Sequence, residues 1–329
     1  MENRTGVTVL LHPCYEINQF SYKLTTTPSV ACIMVYAFLT LLSLVTVCGN
    51  LLVVISIVYF KQLHTPTNTL ILSLAVADLL VGILVFPLSM AFSLSSCTYN
   101  ESLFCKVRDS FDILFSTCSI MHLCCISVDR YYAVCQPLTY RSKISRHVAA
   151  IMIAVSWGVS ALVSIGVTIP RMSHDGCVDL CFLDVITANI IGSIMSFYFP
   201  VVIMLCIYLK IFLVAQRQAR SIQSIKSGAT ASKMERKATK TLVIVLGVFL
   251  FCWSPFFLCI FFSIPVSVIE TVNWLALSNS TLNPFIYAFF YTWFRSAFKM
   301  IASGKIFFVC WVNSSSMFPK CLHKHLVIC

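Results

Sequence analysis

Seven apolar runs punctuate the chain, at roughly 31–59, 68–93, 105–135, 147–169, 187–214, 241–263 and 267–290. Each is close to the length, about 20 residues, that a helix needs to cross a hydrocarbon core about 30 Å thick. In hydrocarbon every backbone N–H and C=O must find its partner within the protein, which leaves helices or a closed barrel. No run alternates polar and apolar residues, and each is about twice the length of a barrel strand, so the runs read as helices. The expected fold is an all-α membrane protein, a seven-transmembrane helix bundle. Composition agrees, with 59% hydrophobic and 11% charged residues against about 45–50% and 25% in a soluble domain.

The net charge of +11 is unevenly placed. Lys61 follows the first run, Arg141, Lys143 and Arg146 the third, seven Lys and Arg from Arg217 to Lys240 the fifth, and five from Arg295 to Lys324 the seventh. The opposite stretches hold Arg4, Lys23 and Arg171. By the positive-inside rule the N-terminus is outside and the C-terminus cytoplasmic. Basic patches on that side suit anionic membrane lipid and a cytoplasmic protein partner, not nucleic acid. Residues 1–30 form an extracellular segment without a signal-peptide core, so the first run serves as its own insertion signal. Residues 31–290 form the bundle. Within 291–304, Trp293-Phe294-Arg295-Ser296-Ala297-Phe298-Lys299-Met300-Ile301 spaces apolar residues as an amphipathic interfacial helix, and 305–329 form a cytoplasmic tail whose Cys310 is a palmitoylation candidate. The segment 215–240 reads as helix extensions about Ser227-Gly228, either a solvated linker or a docking surface. Sequons at Asn3 and Asn100 fall outside the cell, and that at Asn313 inside.

Asp112 and the Asp129-Arg130-Tyr131 triplet share the third run, about 27 Å apart if that run is one helix. Ionisable residues are costly inside a span, so they mark a binding site, relay or switch. One helix thus offers a candidate for each end of a transmembrane signal. Cys14, Cys97, Cys105, Cys177 and Cys181 fall on the oxidising side. Five is odd, so at most two bridges form among them. Cys105 at the start of the third helix and Cys181 before the fifth favour a staple over the pocket, though sequence alone leaves connectivity open. No enzyme is expected, because the spans hold no paired acids, clustered metal ligands or activated nucleophile at usable spacing. An ion-coupled transporter or channel also uses buried acids, but its usual repeats and broken helix pairs are missing.

The landmarks in the spans are more specific together than singly: Gly49-Asn50, Leu74-Ala75-Val76-Ala77-Asp78, Asp129-Arg130-Tyr131, Trp157, Pro200 with Tyr208, Phe249 with Cys252-Trp253-Ser254-Pro255, and Asn283-Pro284 with Tyr287. This set resembles the rhodopsin-class G-protein-coupled receptors over nearly the whole chain. The stretch from Asn279-Ser280-Thr281-Leu282-Asn283-Pro284 to Tyr291-Thr292-Trp293-Phe294 is similar to the fingerprint of the trace amine-associated receptors. Lys61-Gln62-Leu63-His64-Thr65-Pro66-Thr67-Asn68 and Ser127-Val128-Asp129-Arg130-Tyr131-Tyr132-Ala133-Val134-Cys135 look like the same group. No Lys occurs in 267–290 to form a light-sensing Schiff base.

The resemblance implies a receptor for a small extracellular amine whose ammonium pairs with Asp112, alongside Ile113, Ser116, Ser193, Ser196, Trp253, Phe256, Phe257, Trp274 and Leu277. Ring faces can complete a cage around an organic cation. Leu277 stands where many aminergic receptors have a Tyr, which removes one orienting hydroxyl. Gly192 stands where some diamine-reading relatives have a second acid, which slightly favours a monoamine, although Asp109, Asp184 and Glu270 near the rim could meet a second charge. A peptide or lipid receptor with Asp112 otherwise engaged is the alternative within the class.

The resemblance also implies a switch at Asp129, Arg130 and Tyr131, with Glu235 locking Arg130 at rest and Tyr208 and Tyr287 holding it after the sixth helix swings about Pro255. It implies a sodium-sensitive hub at Asp78 with Asn50, Ser119, Asn279, Ser280 and Asn283, and no other cofactor. It implies bridges Cys14–Cys177 and Cys105–Cys181 with Cys97 left free. The implied partners are a stimulatory or olfactory heterotrimeric G protein that raises cAMP, with arrestin and a receptor kinase. The implied location is the plasma membrane, with cilia of chemosensory neurons as a home.

Overall fold

Each of the seven apolar runs is helical in the computed structural model, which describes residues 15–18, 21–24, 30–94, 103–172, 188–223, 229–262 and 266–303. Two short strands precede them. β1 (Tyr15–Asn18) and β2 (Ser21–Leu24) pair antiparallel, with Tyr15 opposite Leu24 and Asn18 opposite Ser21. The sequence reading has no strand there, because four residues carry too little alternation to register as a pattern.

Helix α1 (Val30–Tyr59) is followed by a 3₁₀ turn at Lys61–Leu63 and by α2 (Pro66–Leu80). Thr65 caps α2 by accepting from the Asn68 amide at 3.2 Å, and Pro66 fills the first turn, where its missing N–H has no helical acceptor. A π-turn at Val81–Val85 leads into α3 (Phe86–Leu94). Then come α4 (Leu103–Cys135), the short α5 (Pro137–Lys143) and α6 (Arg146–Met172). A second π-turn at Ile194–Tyr198 leads into α7 (Phe199–Gln223), followed by α8 (Ala229–Phe261), α9 (Val266–Phe290) and α10 (Thr292–Ala302). The two π-turns have a local cause. Pro87 and Pro200 lie just beyond them, and a proline ring clashes with the carbonyl four residues back, which wider turns relieve. Pro255 and Pro284 lie inside α8 and α9.

Six stretches among the described residues, from Cys32–Tyr59 to Ile244–Phe261, are long and apolar enough to cross a membrane. α9 is the more polar seventh. Its 25 residues include Asn279, Ser280, Thr281 and Asn283, all buried in the bundle. α8 begins well before the apolar run at 241, as expected of a helix extending out of the membrane.

The helices close into a ring: α1 packs on α2 and α9, α9 on α8, and α8 on α7. α4 runs through the middle, against α2, α6 and α7. Large apolar side chains such as Phe38, Leu162, Ile165, Val202 and Phe289 face outward, the reverse of a soluble domain and suited to lipid. Since lipid is as apolar as leucine, close contacts and hydrogen bonds hold the helices together. A Cβ on Gly49 would lie 2.9 Å from Pro284, and one on Gly82 2.9 Å from Val47, so both glycines let α1 approach its neighbours. Trp157 on α6 donates to Ser73 Oγ on α2 at 3.1 Å, and Ser164 donates to the Ser110 carbonyl at 2.8 Å. In α10, Phe294 and Ala297 are buried, and Arg295 donates to the carbonyls of Ala288 and Phe289 at the end of α9.

Candidate functional site

Asp112 sits on α4 and accepts two hydrogen bonds, from Ser116 Oγ one turn along at 3.0 Å and from Asn273 Nδ2 on α9 at 3.1 Å. Both donors are neutral. The two ion pairs among the described residues, Arg108–Asp109 at 3.0 Å and Arg130–Asp129 at 2.6 Å, do not include it. The carboxylate therefore ties two helices together without an ion pair among the described residues.

Two aromatic clusters form on α4 and the helices around it. Phe197, in the π-turn before α7, stacks on Phe257 of α8 at 4.2 Å between centroids, and Trp253, Phe256 and Phe249 pack around them. On α3, α4 and α9, Trp274 packs on Phe86 at 5.6 Å, and Phe111 stacks on Phe115, whose edge meets Trp157. The expected cage of Trp253, Phe256, Phe257 and Trp274 is thus divided between two clusters. Leu277 belongs to the second, buried with Val81, Val85, Phe86 and Phe115. Ser196 is buried and Ser193 and Ile113 are half-buried.

Asp78 on α2 is fully buried. Its Oδ1 accepts from Ser119 at 2.9 Å and Ser280 at 2.7 Å, and its Oδ2 accepts from Asn283 at 2.7 Å. Asn50 bonds instead to the carbonyls of Thr46 and Ser280. Asn279 Oδ1 is buried without a hydrogen-bond partner. A carboxylate and two hydroxyls form an oxygen-only set that fits a small hard cation, with Asp78, Ser119 and Ser280 as the residues that would hold it. Among the described residues no three His, Cys, Asp or Glu side chains cluster as metal ligands.

At the far end of α4, Asp129 is fully buried and Arg130 partly so. Arg130 donates through Nε and Nη2 to Asp129 Oδ2, at 3.0 and 2.6 Å, and through Nη2 to Thr67 Oγ1 at 2.6 Å. Thr67 Oγ1 donates to Asp129 Oδ2 at 2.9 Å, and Tyr140 on α5 donates to Oδ1 at 2.9 Å. Burial pushes the Tyr140 phenol up from its ordinary value, so it stays a donor. Tyr208 accepts from Ser127 at 3.1 Å, and Tyr287 is buried with its ring against Tyr291. Neither tyrosine bonds Arg130 here. The Glu235 and Glu270 side chains lie outside the described residues, as do Asn3, Cys14, Cys97, Asn100, Cys177, Cys181, Asp184 and the Cys105 side chain.

Residues 49–287 match the family model of the 7 transmembrane receptor (rhodopsin family). Trace amine-associated receptor 1 of Homo sapiens is 44% identical over 299 residues, covering 83% of this chain and 88% of that protein. The chain belongs to the trace amine-associated receptors, within the rhodopsin family. Trace amine-associated receptor 1 of Mus musculus is 41% identical over 322 residues, covering 90% of this chain and 97% of its own length. Trace amine-associated receptor 4 of Mus musculus is 43% identical over 287 residues, covering 80% and 83%. This receptor is therefore a multi-pass membrane protein and not an enzyme.

Several positions in the receptor differ from what the sequence suggests. Asn273 was missed, although it lies one turn before Leu277 on α9; it supplies the orienting donor that Leu277 lacks. Thr67 and Tyr140 were missed as holders of Asp129, since neither is charged and only the fold brings them to it. Gly192 does not stand open to the cleft: a Cβ there would lie 2.6 Å from Val167 Cγ2 on α6. Asp109 is already paired with Arg108. Cys32 on α1 is disulfide-bonded, so bridging is not confined to the five cysteines read as extracellular. Cys32 was assigned to the apolar run because nothing in its neighbours distinguishes it from the free cysteines, which include Cys118, Cys124 and Cys252.

Removing a donor from a buried carboxylate costs about 1–3 kcal/mol. Thr67→Ala should therefore lower the melting temperature of the detergent-solubilised receptor by several degrees, and an unchanged transition would contradict the network.

Proposed function

We propose that the chain is a G-protein-coupled receptor for small extracellular amines, whose ammonium pairs with Asp112. The observation that carries this reading is a carboxylate on α4 that accepts from two neutral donors, Ser116 and Asn273, and takes no part in an ion pair among the described residues. Such a group is poorly solvated, and an organic cation restores the missing Coulomb energy. The names of its relatives, trace amine-associated receptors, agree in chemical class. Trp253, Phe256, Phe257, Trp274, Ile113, Ser193, Ser196 and Leu277 line the ligand's body, and a monoamine is preferred. A peptide or lipid receptor gives this carboxylate no countercharge, and an ion-coupled transporter or channel would need the repeats and broken helix pairs that the sequence lacks.

Binding shifts the population toward a state in which α8 swings about Pro255 and frees the face at Arg130. At rest Glu235 restrains Arg130, and in the active state Tyr208 and Tyr287 receive it. That face engages a stimulatory or olfactory heterotrimeric G protein, raising cAMP, with arrestin and a receptor kinase ending the signal. A sodium ion at Asp78, Ser119, Ser280, Asn279 and Asn283 favours the resting state. The receptor resides in the plasma membrane, in chemosensory cilia, with residues 1–30 outside and 305–329 inside. Asn3 and Asn100 carry glycans, and Cys14–Cys177 and Cys105–Cys181 are bridged. A glycan at Asn313 would contradict that orientation.

In a cAMP screen of small amines, Asp112→Ala should raise the half-maximal concentration about a hundredfold or abolish the response, as expected for about 3 kcal/mol of lost ion pairing. Responses that survive at equal surface expression would remove the amine mechanism. Glu235→Ala should raise basal cAMP, and an unchanged basal level would remove the resting lock.

A further inference from the structure

We propose that the two short turns at the Arg130 end of the bundle form one binding site for the head of a multiply phosphorylated membrane lipid, with Lys61, Arg141, Lys143 and Arg146 as its cations. The first turn joins α1 to α2, and the second joins α4 to α6 and contains α5. Two hydrogen bonds hold them side by side, between partners 82 and 73 residues apart: Arg146 Nη2 donates to the His64 carbonyl at 3.1 Å, and the Tyr140 and Thr67 hydroxyls meet at 3.1 Å. Lys61 lies three residues from His64, Arg141 is next to Tyr140, and Lys143 lies three residues from Arg146. The same contacts therefore gather the cations of both turns into one patch. All four are exposed, and none takes part in an ion pair among the described residues. Residues 60–67 and 136–149 contain no Asp or Glu, and Asp129, which Thr67 and Tyr140 hold, is buried and already paired with Arg130.

The surroundings favour a lipid as the anion. α1 reaches the patch through the exposed side chains of Ile55 and Val58, and α6 leaves it through those of Ile151 and Val155. Such apolar side chains suit acyl chains, so the cations stand at the depth of lipid phosphates. A lipid neutralises the cations with its head and covers the apolar residues with its tails, whereas a soluble polyanion does only the first. Four unopposed cations match a head with several phosphates better than one with a single net charge, and guanidinium groups bind phosphate oxygens in pairs. α2 and α6 also begin here, at Pro66 and Arg146, and add the partial positive charge of their first turns. A head bound across both turns braces α5, and with it the bond from Tyr140 to Asp129. The role in the cell rests on the orientation proposed above, which turns the patch to the anionic cytoplasmic leaflet; binding by the purified receptor does not depend on it.

The full chain, purified in detergent, is titrated with a short-chain phosphatidylinositol bisphosphate, a short-chain phosphatidylserine and free inositol trisphosphate. The bisphosphate lipid should bind about tenfold or more tightly than either of the others. Lys61→Gln and Arg141→Gln should each weaken it about fivefold and together about thirtyfold, as expected for basic residues near an anionic head. Lys299→Gln removes an exposed cation of α10, outside the patch, and should leave the affinity unaltered. An equal loss from Lys299→Gln, or no loss from the paired substitution, would overturn the site. Inositol trisphosphate binding as tightly as the lipid would put a soluble polyanion there and overturn the lipid. If the substituted chains fail to fold, wild type decides: the bisphosphate lipid should protect Lys61 and Lys143 from acetylation and leave Lys299 reactive, and equal protection of all three, or none, overturns the site. A glycan at Asn313 with this binding pattern intact would fail the orientation alone, whereas loss of the pattern would fail the site alone.

Discussion

A carboxylate inside a membrane must be met by donors from other parts of the chain, and three such groups tie this bundle together. Asp78 on α2 gathers Ser119 from α4 and Ser280 and Asn283 from α9. Asp112 on α4 gathers Asn273 from α9. Asp129 on α4 gathers Thr67 from α2 and Tyr140 from α5 beside its own neighbour Arg130. Hydrocarbon offers no competing water, so each network fixes helix register as well as contributing stability. α4, which runs through the centre, takes part in all three.

Two of those networks share α9. Asn273 and the Ser280–Asn283 pair lie about two turns apart on one rigid element. In the proposed mechanism, a cation at Asp112 alters what Asn273 bonds to and biases the position of α9, and with it the donors on Asp78. The break in regular geometry at Pro284 and the close approach of Gly49 to that proline place a deformable point within the same contact. Signal transmission then needs no long-range wire, only a helix with two arrangements whose balance the ligand shifts.

Much of this was legible in the sequence, for identifiable reasons. Spanning runs are long and continuous, so the seven helices could be read from them, although α7 and α8 run on well beyond the apolar runs at 187–214 and 241–263; Ser119, Ser280 and Asn283 were named beside Asp78 through the family resemblance. The π-turns at Val81–Val85 and Ile194–Tyr198 could not, since their cause is a proline whose effect falls on the preceding turn. Asn273, Thr67 and Tyr140 are ordinary polar residues whose importance is set by the acid across from them. Gly192 shows the opposite case: a position read only as the place of a missing second acid is a packing contact with Val167. Side-chain direction on a helix decides such cases, and an isolated sequence gives it only approximately.

The central claim is that Asp112 recognises the ligand's positive charge and not merely its shape. A double-mutant cycle on the purified receptor tests this most directly, with wild type and Asp112→Asn each titrated against an amine and the alcohol of the same carbon skeleton. The two changes should be strongly non-additive: the amine should bind wild type far more tightly than the alcohol, and the substitution should erase most of that preference, a coupling of about 2 kcal/mol or more. Additive effects, with the preference for the amine intact in Asp112→Asn, would contradict the claim.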